Sequence, residues 1–327
     1  MEQQVIHIEQ CGFLSTLQDG GRTGFLQYGL SKGGFMDTYS AQIANILVGN
    51  HANEVVIEIT QAPHRFRFLK DAVIAFAGGG LQPYFNENAI PLHQPYFVAA
   101  NSEIEIKQPS PGFRLYMAIA GSIVADLFLN SYATNLLVNA GGFKGRILKK
   151  EDVIKTKNLL TNFQKKLLQV LKTGVELNIS YKKLNFTLKT IRVIKGAEWN
   201  FLTSEVQQKI SSITFTIGQQ SNRMGYRLNG EALQTNQLCE IFSSAVTQGT
   251  VQLTPDGELI ALMADAQTTG GYPRIMQVCA ADLSLLAQKK PGDKIQFQII
   301  SLQEAEELYI QQGYELTKLK QFLLSKT

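Results

Sequence analysis

Short β-like runs recur from one end of the chain to the other, and they constrain the fold more than any other feature. They are Val5-Ile6-His7-Ile8, Val55 to Ile59, Ala72 to Ala77, Glu103 to Ile106, Arg114 to Ile119, Ile191 to Ile194, Ile213 to Ile217 and Lys294 to Ile299. An apolar strand from Leu259 to Met263 joins them. Runs this short, rich in β-branched residues and bounded by Gly, Pro, Asn or Asp, are the signature of a barrel or sandwich. Helical periodicity is confined to a few segments: Thr38 to Val48, Ser204 to Lys209, Ala280 to Gln288 and Leu302 to Leu324. The expected fold is mainly β with a few peripheral helices.

A weak repeat suggests two halves. Arg22-Thr23-Gly24-Phe25-Leu26-Gln27-Tyr28-Gly29 and Arg223-Met224-Gly225-Tyr226-Arg227-Leu228-Asn229-Gly230 share an R-x-G-aromatic-x-x-x-G pattern. Glycine clusters follow each, Gly78-Gly79-Gly80 and Gly270-Gly271. Two related barrel-like units would enclose a cleft. From Lys144 to Lys189 the chain turns rich in Lys, Asn, Leu and Thr, as a join between halves would. That stretch reads either as a basic surface facing a nucleotide or acidic partner, or as a variable connector carrying a short Lys-bearing amphipathic helix at Phe163 to Leu171. The division expected is a first subdomain over 1–150, a Lys-rich connector over 151–190, and a second subdomain with a C-terminal helix over 191–327.

Composition removes several function classes. The 327 residues are 44% hydrophobic and 18% charged, an ordinary globular balance with length for two domains. The net charge is +4 and the pI near 8.8, yet Lys and Arg are spread evenly, which argues against nucleic acid as a partner. No basic leader or apolar core opens the chain, and no window approaches the roughly 18 apolar residues that span a bilayer. The expectation is a soluble, cytoplasmic protein with no membrane partner. Cys11, Cys239 and Cys279 are far apart in apolar settings and read as buried free thiols. His7, His51, His64 and His93 show no ligand spacing, so no metal is expected.

Three polar clusters are dense enough to carry chemistry. In Met263 to Arg274 an apolar strand runs into Asp265, Gln267, Thr268, Thr269, Gly270, Gly271 and a Tyr272-Pro273-Arg274 exit. Polar groups at a strand end need partners or a ligand, and glycines let backbone N–H groups approach one closely. Asp265 is the candidate base or proton carrier; Gln267, Thr268 and Thr269 would orient a carboxylate or amide, and Arg274 would clamp an anion. The second cluster, Gln219 to Arg227, gathers Ser221, Arg223, Tyr226 and Arg227 for anion recognition, although Arg227 serves equally as a structural ion pair. The third places Asp19 and Arg22 across a glycine-rich loop, where they could hold a small ligand; Asp37 follows, as site residue or as N-cap of Thr38 to Val48. There is no phosphate loop, no nucleophile elbow and no biotinyl-lysine sequence.

At these clusters the chain resembles the family that holds allophanate hydrolase subunit 2, KipA and the C subunit of 5-oxoprolinase, also labelled a biotin-dependent carboxyltransferase domain. The resemblance rests on Thr16 to Gly24, Gly33 to Asp37, Ala44 to Asn50, Gly141 to Leu148, Ser221 to Gly230, Asp265 to Arg274 and Pro291-Gly292-Asp293. It implies two cyclophilin-like β-barrel subdomains; the residues of the polar clusters expected to be catalytic are Asp265, Gln267 and Arg223. It also implies ATP-dependent hydrolysis of 5-oxoproline to glutamate with KipI-like and LamB/YcsF-like partner subunits; without a biotinyl-lysine sequence, no covalent biotin is expected on this chain. Relatives act instead as carboxyltransferase domains of urea carboxylase, or as a regulator opposing a kinase inhibitor. Asn130-Ser131-Tyr132-Ala133-Thr134, Gly196-Ala197 and Gln252-Leu253-Thr254-Pro255 depart from the family pattern.

Overall fold

The computed structural model describes residues 2–107, 110–157, 159–177, 179–236 and 241–326. The chain is mainly β, as its short runs predict, and it divides into two compact units. The first comprises Met1–Gly21, Asp37–Leu184 and Gly313–Thr327; the second comprises Arg22–Met36 and Asn185–Gln312.

In the first unit, two antiparallel sheets share one core. The six-stranded sheet runs Val153–Lys157, Glu2–Gln10, His64–Phe68, Glu103–Lys107, Gln82–Phe85, Asn88–Ala89, and the five-stranded one runs Ser15–Gln18, Val56–Ile59, Leu115–Ile119, Ala72–Gly78, Pro95–Val98. Alternate residues supply the core from both: Ile6, Ile8, Phe66 and Phe68 from one sheet, Ile57, Ile59, Ile74 and Phe76 from the other. Solvent-side positions of the same strands carry cross-strand pairs, Arg65 with Glu105 and Arg67 with Glu103. Ala72–Gly78 is buried along its whole length because helix Thr38–Leu47 covers its other face. That helix starts where Asp37 accepts a bond from the Ser40 N–H at 2.9 Å, so Asp37 is its N-cap.

The sequence reading places a connector over 151–190. Residues 151–184 instead lie within the first unit, because Val153–Lys157 pairs antiparallel with Glu2–Gln10. The short Lys-bearing helix is present as Asn162–Lys172, opened by a Thr161/Gln164 capping box.

The second unit is a closed barrel in the order Thr190–Lys195, Arg274–Val278, Thr250–Leu253, Leu259–Leu262, Gly225–Asn229, Phe215–Ile217, Lys294–Ile299. The parallel pairing of Thr190–Lys195 with Lys294–Ile299 closes it, which removes the exposed edges. Phe215, Phe297, Tyr226 and Leu228 are buried. The weak sequence repeat is not a structural one. Leu26–Tyr28 is a turn of 3-10 helix, Gly225–Asn229 is a barrel strand, and both belong to the second unit.

Among the described residues no helix is long and apolar enough to cross a membrane, and no three His, Cys, Asp or Glu residues are grouped to hold a metal. Cys279 is buried and Cys11 partly so; burial pushes both thiols up to about 11. Cys239 lies outside the described residues.

Candidate functional site

The barrel register builds a buried charged cluster in the second unit. Pairing of Gly225–Asn229 with Leu259–Leu262 continues past both strand ends, with the Met263 N–H donating to the Met224 carbonyl and the Asp265 N–H to the Arg223 carbonyl. Arg223 and Asp265, 42 residues apart, are thereby set side by side. Arg223 Nε donates to Asp265 Oδ2 at 2.7 Å and Nη2 to Oδ1 at 3.0 Å, while Nη2 also donates to the Gly34 carbonyl at 2.7 Å. The planar fork suits this bidentate geometry. Arg223 is only 6% exposed.

The glycine-rich loop completes the cluster. The Arg22 N–H donates to the Lys32 carbonyl at 2.7 Å, closing the loop on itself, and the Gly33 N–H donates to the Ala264 carbonyl at 3.0 Å, docking it beside Asp265. Gly33 has a φ of 63°, and a Cβ there would stand 2.7 Å from Arg22 Nη1 and 3.6 Å from Asp265 Oδ1. The position therefore requires glycine both for its backbone and for the space beside the guanidinium. Two buried arginines around one carboxylate form an arrangement suited to anion recognition.

The rest of the Met263 to Arg274 segment is tied to its own barrel. Thr269–Gly270 pairs with Ser244–Ala245 as a two-stranded ribbon, and the Thr268 carbonyl accepts from the Val246 N–H. A Cβ on Gly270 would stand 2.5 Å from Nε2 of Gln252, whose side chain is buried beneath. Gln252 donates to the Tyr272 carbonyl at 3.3 Å and accepts from Gln267 at 3.5 Å. Gln267, Thr269 and Tyr272 are exposed. Arg274, expected to clamp a ligand anion, grips Glu198 instead: Nε and Nη2 donate at 2.9 and 2.7 Å, and its own N–H adds a third bond at 2.8 Å. These bonds hold the Glu198 carboxyl below the usual range.

Of the second sequence cluster, Ser221 bonds the Arg227 backbone within its own loop. Tyr226 is 1% exposed and packs the barrel, its hydroxyl donating to the Ala287 carbonyl at 3.4 Å. Its ring fills the interior, a place that a strand alternation beginning at Gly225 assigns to it.

Asp19 belongs to the first unit. Its carboxylate accepts from Ser131 Oγ at 2.6 Å, the Tyr132 N–H at 2.6 Å and the Gly21 N–H at 2.9 Å, and Thr134 Oγ1 donates to the Leu17 carbonyl. The hydroxyls of this loop thus serve internal bonds. Sequence reading passes over one buried network here: the Asp37 N–H donates to the Tyr116 hydroxyl, which donates to Glu58, each at 2.8 Å. Desolvation pushes the Tyr116 phenol well above its ordinary value. A glutamate inside an otherwise apolar strand, Val56-Ile57-Glu58-Ile59, is the available signal. Glu198 and Gln252 are likewise passed over, one in a turn and one in a strand too polar to read as core.

Comparison with known proteins adds relatives. The family model described as carboxyltransferase domain, subdomain A and B, matches residues 28–299. The chain is 35% identical to the 5-oxoprolinase C subunit of Escherichia coli K12, over 92% of this chain and 93% of that protein. It is 33% identical to the Haemophilus influenzae protein of the same name, over 90% and 91%. Urea amidolyase of Saccharomyces cerevisiae is 29% identical over 97% of this chain, which spans 18% of that protein. The crystal structure of K. lactis urea amidolyase superposes with a TM-score of 0.87 at 24% identity, covering 98% of this chain and 20% of that one.

Proposed function

Since the chain belongs to the family of carboxyltransferase domains with subdomains A and B, we propose that it is the C subunit of an ATP-dependent 5-oxoprolinase. In this reading it acts with KipI-like and LamB/YcsF-like subunits in the cytoplasm, opening the lactam of 5-oxoproline to glutamate. The higher identity to 5-oxoprolinase subunits than to urea amidolyase supports this choice.

The observation that carries the chemical part is the Arg223, Asp265 and Gly34 clamp with Arg22 beside it. 5-Oxoproline is a carboxylate joined to an unreactive lactam, so its turnover needs a fixed anion contact and an activated carbonyl. ATP, when bound to the complex, supplies the phosphoryl group that makes the lactam oxygen a leaving group. The part of this chain is to set the positive charge of the Arg223 and Arg22 cluster beside the substrate anion, Arg223 keeping its bonds to Asp265 and Gly34. The sequence alone suggests Asp265 as a base. Both of its oxygens already accept bonds from Arg223, so the role proposed here is to orient that guanidinium. Gln267, Thr268, Thr269, Gly270 and Tyr272 stay in the proposal as the polar rim of the same segment. Asp19, Ser221, Tyr226 and Arg274 take structural parts in it, given the internal partners described above.

Steady-state kinetics of the assembled complex test the assignment. Arg223→Ala is expected to raise KM for 5-oxoproline about a hundredfold or more, as loss of a charged hydrogen-bonded contact of roughly 3 kcal/mol would. Asp265→Asn, which keeps the shape, is expected to raise KM less and to leave the pH profile of kcat unchanged. Wild-type KM in Arg223→Ala with the complex intact would remove this site; loss of the acid limb of the kcat profile in Asp265→Asn would restore Asp265 as base.

The likeness to urea amidolyase over 97% of this chain supports a second reading, carboxyl transfer from a biotin carrier protein. Copurification of a biotinylated carrier, with no turnover of 5-oxoproline, would favour it.

A further inference from the structure

Residues 171–177 and 179–184, legible in the sequence as part of a basic surface or a plain connector, are strapped down in the first unit. Gln94 grips Ile179 twice, its amide nitrogen donating to the Ile179 carbonyl at 3.1 Å and its oxygen accepting from the Ile179 N–H at 3.2 Å. The Tyr181 hydroxyl lies 2.5 Å from His93 Nδ1, and the Tyr39 hydroxyl donates to the Lys182 carbonyl at 3.1 Å. Burial holds the His93 imidazole down to about 4, so near neutral pH the ring that meets Tyr181 is neutral.

Under this strap, against strand Pro95–Val98, lies a cavity of about 600 Å³. That is within the roughly 300 to 1,000 Å³ that small organic ligands occupy. Phe85, Leu92, Tyr96, Phe97, Leu171 and Leu177 give it an apolar, partly aromatic wall. Three charged residues line it, Lys172, Glu176 and Lys183. Lys172 is already paired with Asp71 at 2.6 Å and lies 5.4 Å from the Phe97 ring centroid. Glu176 and Lys183 make no ion pair among the described residues, so the lining offers one charge of each sign. They act on different neighbours. Glu176 is near enough to Tyr96 to add to the effect of burial in raising its phenol, and Lys183 is near enough to His93 to add to burial in lowering its imidazole. His93 and Tyr96 are three positions apart, a span of up to about 10 Å in extended chain.

We propose that this cavity binds a zwitterion with an apolar body, an apolar amino acid or the free ends of a short apolar peptide. The rings and leucines cover the body, Glu176 takes the ammonium and Lys183 takes the carboxylate. A dipeptide spreads its two charges over about 7 Å of backbone, and an amino acid holds them closer. Neither the oxoprolinase reading nor the Arg223 cluster enters this proposal.

Isothermal titration of the full-length chain, without ATP or partners, tests it. The probes are L-phenylalanine, the dipeptide Phe-Leu, N-acetylphenylalanine and phenylalaninamide. At least one zwitterion is expected to saturate in the millimolar range or tighter, and blocking either charged end to weaken binding about tenfold. Saturation by phenylalanine identifies a free amino acid as ligand, and saturation by Phe-Leu alone identifies a peptide. Glu176→Gln should erase the preference for a free amine and spare that for a free carboxylate; Lys183→Gln should do the reverse. Both side chains are exposed, so neither change threatens the fold. Leu177→Trp, which fills the cavity, should abolish binding with an unchanged circular dichroism spectrum. No saturation by either zwitterion, equal binding of the capped probes, or charge variants that shift no preference would each overturn the proposal.

Discussion

His64 shows how much one side chain can depend on its surroundings. It is 1% exposed, its Nε2 meets the Gln61 carbonyl at 2.6 Å, and its Nδ1 accepts from the Gly12 N–H at 3.3 Å. Only a neutral ring protonated at Nε2 satisfies both bonds, and burial pushes the imidazole down to about 4. The unfolded chain takes up that proton near its ordinary value of about 6.5 and the folded chain does not. Stability from this group is therefore complete above about pH 6.5 and declines as pH falls toward 4, by about 3 kcal/mol in all. His93, with the same direction, adds to the slope. Urea denaturation of wild type and His64→Gln between pH 7 and 4.5 checks this, with a flatter pH dependence expected in the variant. In the sequence His64 stands out only for lacking a metal partner, since nothing local tells that a histidine beside two arginines faces inward. Arg223 and Asp265 are legible as polar residues at strand ends. Their pairing is not, because barrel register decides it.

Helices and caps are the most legible elements, since their signals are local. Thr38–Leu47, Ser204–Lys209, Ala280–Ala287 and Leu302–Lys326 fall where the 3.6 period puts them. Strands rich in charge are not: His64–Phe68 alternates Phe66 and Phe68 inward with Arg65 and Arg67 outward, and Arg274–Val278 and Thr250–Leu253 carry Arg or Gln within the barrel. Contacts between elements escape sequence reading altogether, and Gln164 is the clearest case. Besides closing the capping box of Asn162–Lys172, its amide nitrogen donates to the Val48 and Gly49 carbonyls and to Asn50 Oδ1, tying that helix to the end of Thr38–Leu47. Gln164→Ala is expected to cost about 2 kcal/mol, more than the roughly 1 kcal/mol of Thr161→Ala, which removes a cap alone. Equal losses in thermal denaturation would contradict the tying role.

At the scale of the whole molecule, the chain is not the simple succession of two halves that its composition suggests. Arg22–Met36 is grouped with Asn185–Gln312, and Gly313–Thr327 with the first unit. Such returns are non-local, so neither composition nor periodicity marks them. The mainly β class and the family are readable because they rest on patterns that persist along the chain, the short runs for one and motifs in a fixed order for the other. The central claim is that this chain is a required part of an ATP-coupled lactam hydrolase. Its most direct test is to coexpress it with KipI-like and LamB/YcsF-like subunits and to measure glutamate released from 5-oxoproline with and without ATP. ATP-dependent release that disappears when this chain is omitted is the predicted result; release that persists without it, or none from the assembled complex, would contradict the claim.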